Sequence, residues 1–248
     1  MLFQEIPIEF KEKVEVYLKE LFNNIQKIDN NTLCSNNVLY PANITTDHLK
    51  LQVGCDKHIE TMIELFFLLH VFHIYSKQKQ FMYSITAGTI LGYLSNNSIL
   101  PWDDDIDIVV PFSHFKNVED LWNSSYDKET QIWDKNWIYK NINIDSYNVV
   151  LLKRKNKNFF KLKLNIDTIE KHKQYQRDIG GLDIIDENGF HGHFNNSKKK
   201  IIFGNDDNYC SHNFCNFEIN TLKKEQAEMV CNDLYPRWRE MKHPKLFK

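Results

Sequence analysis

A run of aspartates lies near the middle of the 248-residue chain, between two apolar stretches. Four of the five residues from Asp103 to Asp107 are aspartate. In a β-strand alternate side chains share one face, so if Ile106 and Ile108 turn toward a core, Asp105 and Asp107 project together from the other face. Two carboxylates held this close repel each other unless a proton or a cation lies between them. Oxygen ligands suit Mg²⁺ or Mn²⁺, so the spacing predicts a divalent metal site.

A short helix is predicted to begin at Gly88-Thr89, shortly before the aspartates. The residues before it, from Phe81 to Ile85, alternate apolar and polar side chains as a strand does. The free N–H groups at a helix N-terminus attract anions such as phosphate. An anion site beside metal-binding carboxylates is typical of enzymes that catalyse phosphoryl or nucleotidyl transfer. The alternative is a solvated acidic loop or a structural Ca²⁺ site, which the alternation with β-branched residues disfavours.

The segment "AGTILGYLSNNSILPWDDDIDI" resembles the signature of the LicD family, which includes bacterial phosphocholine transferases and fukutin-related glycan phosphotransferases. The matching positions are Gly88, Thr89, Leu91, Gly92, Pro101, Trp102, Asp103, Asp105 and Asp107. Downstream, Asp183-Ile184 resembles the family's later acidic strand. The chain departs from the pattern at Ala87, where the family has glycine, and at residues 95–98, where "SNNS" replaces a basic loop.

This resemblance implies a nucleotidyltransferase-like fold and a set of roles for the matching residues. Asp105 and Asp107 would hold Mg²⁺ or Mn²⁺ with Asp103 in support. Asp183 would be the third carboxylate, which shares the metal or acts as base for an acceptor hydroxyl. Gly88, Thr89 and Trp102 would contact the substrate.

The activity that the resemblance implies is transfer of a phospho-alcohol, of the phosphocholine or ribitol-phosphate kind. The donor would be CDP-activated and the acceptor a sugar hydroxyl of a glycan or glycoconjugate. Two alternatives stay open: a nucleotidyltransferase acting on a small molecule or protein, and an inactive LicD-like binding module. The retained aspartates argue against an inactive module, and the missing basic loop argues for it.

Basic residues gather at a predicted hairpin, whose strands are "YNVVLLKR" and "NFFKLKLNI". Lys153 and Arg154 are candidates for a phosphate clamp that replaces the missing basic loop. As neighbours in one strand they point to opposite faces, so only one can face the cleft. Lys161 and Lys163 alternate on the return strand. The alternative is an ordinary solvated hairpin tip.

Composition limits the class of protein. A formal net charge of −2 provides no cationic field for a long nucleic acid, and a hydrophobic content of 42% is enough for a substantial core. No signal peptide and no transmembrane segment are evident, which predicts a cytoplasmic protein with reduced cysteines. Irregularly spaced histidines and cysteines leave a structural zinc site open without predicting one. These residues are His191, His193, Cys210 and Cys215.

The overall pattern predicts an α+β fold, with a mixed sheet flanked by helices and helical additions at both ends. Apolar spacing indicates helices over residues 8–28, 56–75 and 113–122, and a last helix that ends at Pro236. We expect residues 1–55 to form an N-terminal helix and an irregular connection. Residues 56–248 would form the catalytic domain.

Overall fold

A computed structural model describes residues 5–26, 56–100, 103, 105–124, 130–133, 135–155, 157–164, 181–190, 192–236 and 238. Trp102, for which we predict a substrate contact, lies outside these residues, as does His191. The predicted boundary at residue 55 also falls outside them and stays a prediction.

The described residues form helices and strands that alternate along much of the chain. The helices are α1 (Ile8–Gln26), α2 (Asp56–Lys79), α3 (Ala87–Asn96), α4 (Phe112–Asn123), α5 (Asn196–Phe203) and α6 (Lys224–Leu234), with a 3₁₀ turn at Asp206–Asn208. The strands are β1 (Ser84–Ile85), β2 (Ile106–Val110), β3 (Gln131–Ile132), β4 (Trp137–Ile144), β5 (Tyr147–Arg154), β6 (Phe159–Lys163), β7 (Leu182–Asp186), β8 (Tyr209–Phe214) and β9 (Phe217–Leu222). The predicted α+β class is confirmed.

Seven strands form one mixed sheet in the order β1-β2-β7-β6-β5-β4-β3, and β8 and β9 form a separate hairpin. The β2–β7 pair is parallel, and the other pairs of the large sheet are antiparallel. Strands β3 to β6 therefore make an excursion that leaves β2 and returns beside it at β7. Both acidic strands become neighbours in the interior of the sheet.

One face of the sheet forms the main hydrophobic core. Ile108, Ile184 and Phe160 lie opposite one another on β2, β7 and β6 and are fully buried. Helix α4 covers this row, with the ring of Phe115 centred 5.9 Å from that of Phe160. Because side chains alternate along a strand, this packing forces the intervening residues onto the other face.

Helix α2 is the central helix of the core. Its segment Ile59–Lys79 is long and apolar enough to cross a membrane, but 72% of the apolar window is buried inside the protein. Phe66 and Phe67, near its middle, are both 0% exposed. These apolar residues therefore belong to a helix that packs against the rest of the fold.

Candidate active site

The acidic cluster is assembled by the register of two strands. Asp107 on β2 lies directly opposite Asp183 on β7, and Asp105 immediately precedes β2. Asp105, Asp107 and Asp183 are partly buried and can each offer a ligand atom within 4.8 Å of those of the other two. Among the described residues this is the one group of three or more potential ligands with that geometry. The structure thus brings together the three carboxylates for which the sequence predicts catalytic roles.

Asp107 lies in an environment that disfavours its negative charge. Burial raises the pKa of Asp107 well above its ordinary value, and the charges of Asp105 and Asp183 raise it further. The charge of Asp103 also raises the pKa of Asp107, whereas the ammonium of Lys161 lowers it. A divalent cation would relieve the same repulsion, so the site suits such an ion chemically.

The cluster includes a cation that the sequence placed on the return strand of the basic hairpin but did not pair with the acids. The Nζ of Lys161 lies 3.0 Å from Oδ1 of Asp183, and β6 places the two residues directly opposite each other. Lys161 and Lys163 are each only 2% exposed. For these two residues the hypothesis of a solvated hairpin is therefore wrong, because the β6 strand turns both into the protein.

The N-terminus of α3 faces the same cluster. Thr86 is the N-cap residue, and its side chain makes no capping hydrogen bond. The Oγ1 of Thr86 is buried and has no hydrogen-bond partner among the described residues. Because Thr86 lines the cavity that contains Asp107 and Asp183, its hydroxyl is available to a ligand there. Nothing in the sequence motif distinguished this residue.

Gly88 and Thr89 position the aspartates. A Cβ atom on Gly88 would lie 2.6 Å from Oδ2 of Asp103, so the glycine lets that carboxylate pack against the first turn of α3. Thr89 is fully buried, and its Oγ1 accepts a hydrogen bond of 3.0 Å from the backbone N–H of Asp107. The substrate contacts predicted for these two residues stay predictions, but their structural roles are clear.

The acidic cluster opens into a cavity of about 800 Å³. Its acidic end includes Asp107 and Asp183 beside Thr86 and Ala87. The described residues that complete its wall are Lys153, Arg154, Lys157, Asn158, Phe159, Ile185, Asp186, Asn188, Gly189, Phe190 and Leu234. The cavity thus joins a carboxylate end to an end that carries basic and aromatic side chains.

Strand alternation distinguishes the two predicted clamp residues. Arg154 shares a face with Lys161 and Asp183, and its guanidinium carbon lies 6.0 Å from the ring centroid of Trp137. Lys153 contributes to the cavity wall, but its Nζ lies 5.4 Å from the ring centroid of Phe160, on the core side. The geometry therefore favours Arg154 as the cation that faces the cleft.

The C-terminal helix also reaches the site. Burial raises the pKa of Tyr235, and the carboxylates of Asp103 and Asp107 raise it further, which places this residue within electrostatic reach of the cluster. Leu234, at the end of α6, lines the cavity. The end of α6 therefore lies beside the acidic cluster.

The possible zinc ligands do not converge in the part of the chain that is described. Cys215 is buried at the β8–β9 turn, and burial raises the pKa of its thiol to about 12. The acidic cluster is the group of potential ligands found among the described residues, and it contains no histidine or cysteine.

Comparisons with known proteins agree with this geometry. Residues 80–193 match the family model described as "LicD/FKTN/FKRP, nucleotidyltransferase domain", just under half of the chain. A protein of Haemophilus influenzae, "Lipopolysaccharide cholinephosphotransferase LicD", is 31% identical over 55 residues. That match covers 22% of this chain and 21% of the Haemophilus protein, so the chain spans about a fifth of the length of this relative.

Proposed function

The domain at residues 80–193 belongs to the LicD family, and on this premise we propose that the chain is a metal-dependent transferase. It would move a phospho-alcohol from a CDP-activated donor to a sugar hydroxyl of a glycan or glycoconjugate. The observation that carries the proposal is the convergence of Asp105, Asp107 and Asp183 beside the N-terminus of α3. A matching family and a site built for phosphate chemistry support the same reaction class.

The residues present fit a divalent cation. Three carboxylates within 4.8 Å of one another offer the hard oxygen ligands that Mg²⁺ and Mn²⁺ prefer. The buried, unpartnered hydroxyl of Thr86 in the same cavity indicates that a polar ligand belongs there. Bound at Asp105, Asp107 and Asp183, with Asp103 in support, the ion would neutralise phosphate charge during transfer.

In the proposed reaction the acceptor hydroxyl attacks the phosphorus that carries the alcohol, the phosphoanhydride bond to CMP breaks, and the hydroxyl proton passes to water or to the departing phosphate. The α3 N-terminus would orient phosphate oxygens through its backbone N–H groups. We assign Asp183 to the cation rather than to the hydroxyl proton. The ammonium of Lys161 at 3.0 Å stabilises the charged form of Asp183, which makes this carboxylate a poor proton acceptor.

The basic end of the cavity suits the diphosphate of the donor. Arg154 faces the cleft and offers a bidentate donor fork, and Lys157 adds a second cation to the same wall. This arrangement supplies positive charge that the segment 95–98 lacks. The charge balance of the chain supports a small donor and a glycan acceptor rather than a long nucleic acid, and a cytoplasmic location stays a prediction.

The test combines cation binding with catalysis. Mn²⁺ should raise the unfolding temperature of the wild-type protein, and Asp105→Asn and Asp107→Asn should each abolish that rise because a ligand is lost. Release of CMP from CDP-choline or CDP-ribitol, with a glycan acceptor, should fall more than about a hundredfold in both variants. Asp207→Asn, an exposed aspartate on the 3₁₀ turn, is the matched control and should behave as wild type.

Each contrary outcome identifies an alternative. Pyrophosphate release from CTP without CMP release from CDP-alcohols would replace the proposal with a nucleotidyltransferase. Cation binding with neither activity would indicate a binding module. A Mn²⁺-induced rise that survives in both variants would remove the metal assignment altogether.

A further inference from the structure

A buried lysine completes a row of ionisable residues across three strands. Lys161 on β6 lies opposite Asp183 on β7, and Asp183 lies opposite Asp107 on β2. The Nζ of Lys161 lies 3.0 Å from Asp183, and the two side chains are only 3% and 13% exposed. Water therefore screens this pair less than it screens a pair on the surface, and the charge of Lys161 acts on the cluster.

Lys161 changes the charge that a cation meets. The carboxylates of Asp105, Asp107 and Asp183, with the ammonium of Lys161, carry a formal charge of −2 when all are ionised. Without Lys161 the same carboxylates would carry −3. A buried charge without an opposite partner is strongly unfavourable, so the lysine stabilises the cluster when no cation is bound.

We propose that Lys161 is a positioning residue that keeps Asp183 charge-compensated in the cation-free protein and thereby lowers the affinity of the cluster for a divalent cation. This inference rests on the metal site of the proposed function. The lysine allows three carboxylates to stay together without a tightly held ion. The cation would then bind with moderate affinity and be released readily together with the nucleotide product.

The direction of the effect follows from electrostatics. Removing the ammonium deletes a positive charge 3.0 Å from a carboxylate that would hold the cation, which should strengthen cation binding. Loss of the ion pair does not release Asp183 from the site, because the parallel register with Asp107 fixes its backbone. The two effects oppose each other, and the charge effect is the larger since the ligand residues remain in place.

The experiment measures Mn²⁺ affinity by calorimetry and by the concentration dependence of the unfolding temperature. Lys161→Met keeps most of the length of the unbranched side chain and removes the charge. It should lower the unfolding temperature without cation and tighten Mn²⁺ binding by about tenfold or more. Lys161→Arg retains the charge and should bind Mn²⁺ within about threefold of wild type.

A second pair of variants keeps the test decisive if Lys161→Met does not fold. Asp183→Asn and the double variant Lys161→Met/Asp183→Asn both bind through Asp105 and Asp107 alone. Since removing both members of a buried pair is tolerated better than removing one, the double variant should fold. It should bind Mn²⁺ about tenfold more tightly than Asp183→Asn.

The outcomes separate this inference from the proposed function. If wild type does not bind Mn²⁺, the metal site itself fails. If wild type binds Mn²⁺ but neither comparison shows tighter binding after removal of Lys161, the lysine serves packing only and the inference is overturned. Weaker binding in both comparisons would overturn it as well, because the lysine would then support the cation rather than oppose it.

Discussion

Strands β6, β7 and β2 carry two rows of side chains that differ by a single residue step. The rows are Lys161–Asp183–Asp107 on one face and Phe160–Ile184–Ile108 on the other. The apolar row is fully buried and packs in the main core. The ionisable row opens to the cavity and holds more negative charge than it can balance. The same three strands thus contribute to the hydrophobic core on one face and carry the acidic cluster on the other.

Neighbouring residues on β2 provide the sharpest test of this contrast, with the largest expected effect. Ile108→Ala should lower the free energy of unfolding by about 2–5 kcal/mol, because it opens a cavity in the core. It should leave the Mn²⁺-induced stabilisation unchanged. Asp107→Asn should do the reverse, with no loss of stability and no response to Mn²⁺. Urea unfolding with and without Mn²⁺ measures both, and similar behaviour of the two variants would contradict the division between the faces.

Lys153 and Arg154 allow the same comparison between the two faces of the sheet on β5. Arg154→Ala should lower turnover with a CDP-alcohol about 10- to 100-fold, the effect of losing one charge-assisted hydrogen bond to phosphate. Lys153→Ala should stay near wild type, because its ammonium lies over the rings of Trp122 and Phe160 on the core side. Steady-state assays of CMP release decide between them. Equal losses in both variants would place both cations at the donor.

The pH dependence of stability should distinguish Asp107 from the apolar row. Since burial and the neighbouring carboxylates raise its pKa in the folded state, the folded protein binds this proton more tightly than the unfolded chain. The resulting stabilisation is greatest below the ordinary aspartate pKa of 3.8 and is lost as the pH rises through the raised value. In EDTA, Asp107→Asn should therefore be more stable than wild type by about 0.5–2 kcal/mol at pH 8.

This gain should shrink as the pH falls toward 4, where the wild-type side chain becomes protonated. Urea unfolding at several pH values between 4 and 8 is the measurement. Ile108→Val, on the adjacent residue of the apolar row, is the control and should show a constant difference from wild type. A pH-independent gain in Asp107→Asn would argue against charge repulsion as its cause.

The smallest expected effect concerns the backbone at the edge of the acidic end. Ala87 has a φ of 49°, in the left-handed region where an alanine side chain is unfavourable. Ala87→Gly should raise the free energy of unfolding by up to about 1 kcal/mol, because glycine adopts this conformation without strain. Thermal unfolding measures the change. Destabilisation would show that the methyl group contributes packing that outweighs the strain.

Local patterns predicted the acidic strand and the hairpin of β5 and β6, because the alternation of a strand and the residues of a turn can be recognised within a short stretch of sequence. The partnership of Lys161 with Asp183 was not predictable, since it depends on the pairing of β6 with β7 across a long intervening segment. Thr86 was missed for another reason: the sequence cannot show that its buried hydroxyl has no hydrogen-bond partner among the described residues. The β8–β9 hairpin and α5 were missed because polar residues interrupt the alternation typical of strands and the three-to-four-residue spacing typical of helices.

The excursion of β3 to β6 between the two acidic strands separates the paired carboxylates from the basic wall of the cavity. β2 and β7 are bonded directly to each other, so the spacing of Asp107 and Asp183 does not depend on the length or sequence of β3, β4 and β5. The basic wall of the cavity, in contrast, is carried by the end of β5 and the turn that follows it. If the proposed reaction is correct, insertions and substitutions in this excursion can change which donor is accepted while Asp107 and Asp183 stay in register. A change of substrate would then need no change in β2 and β7.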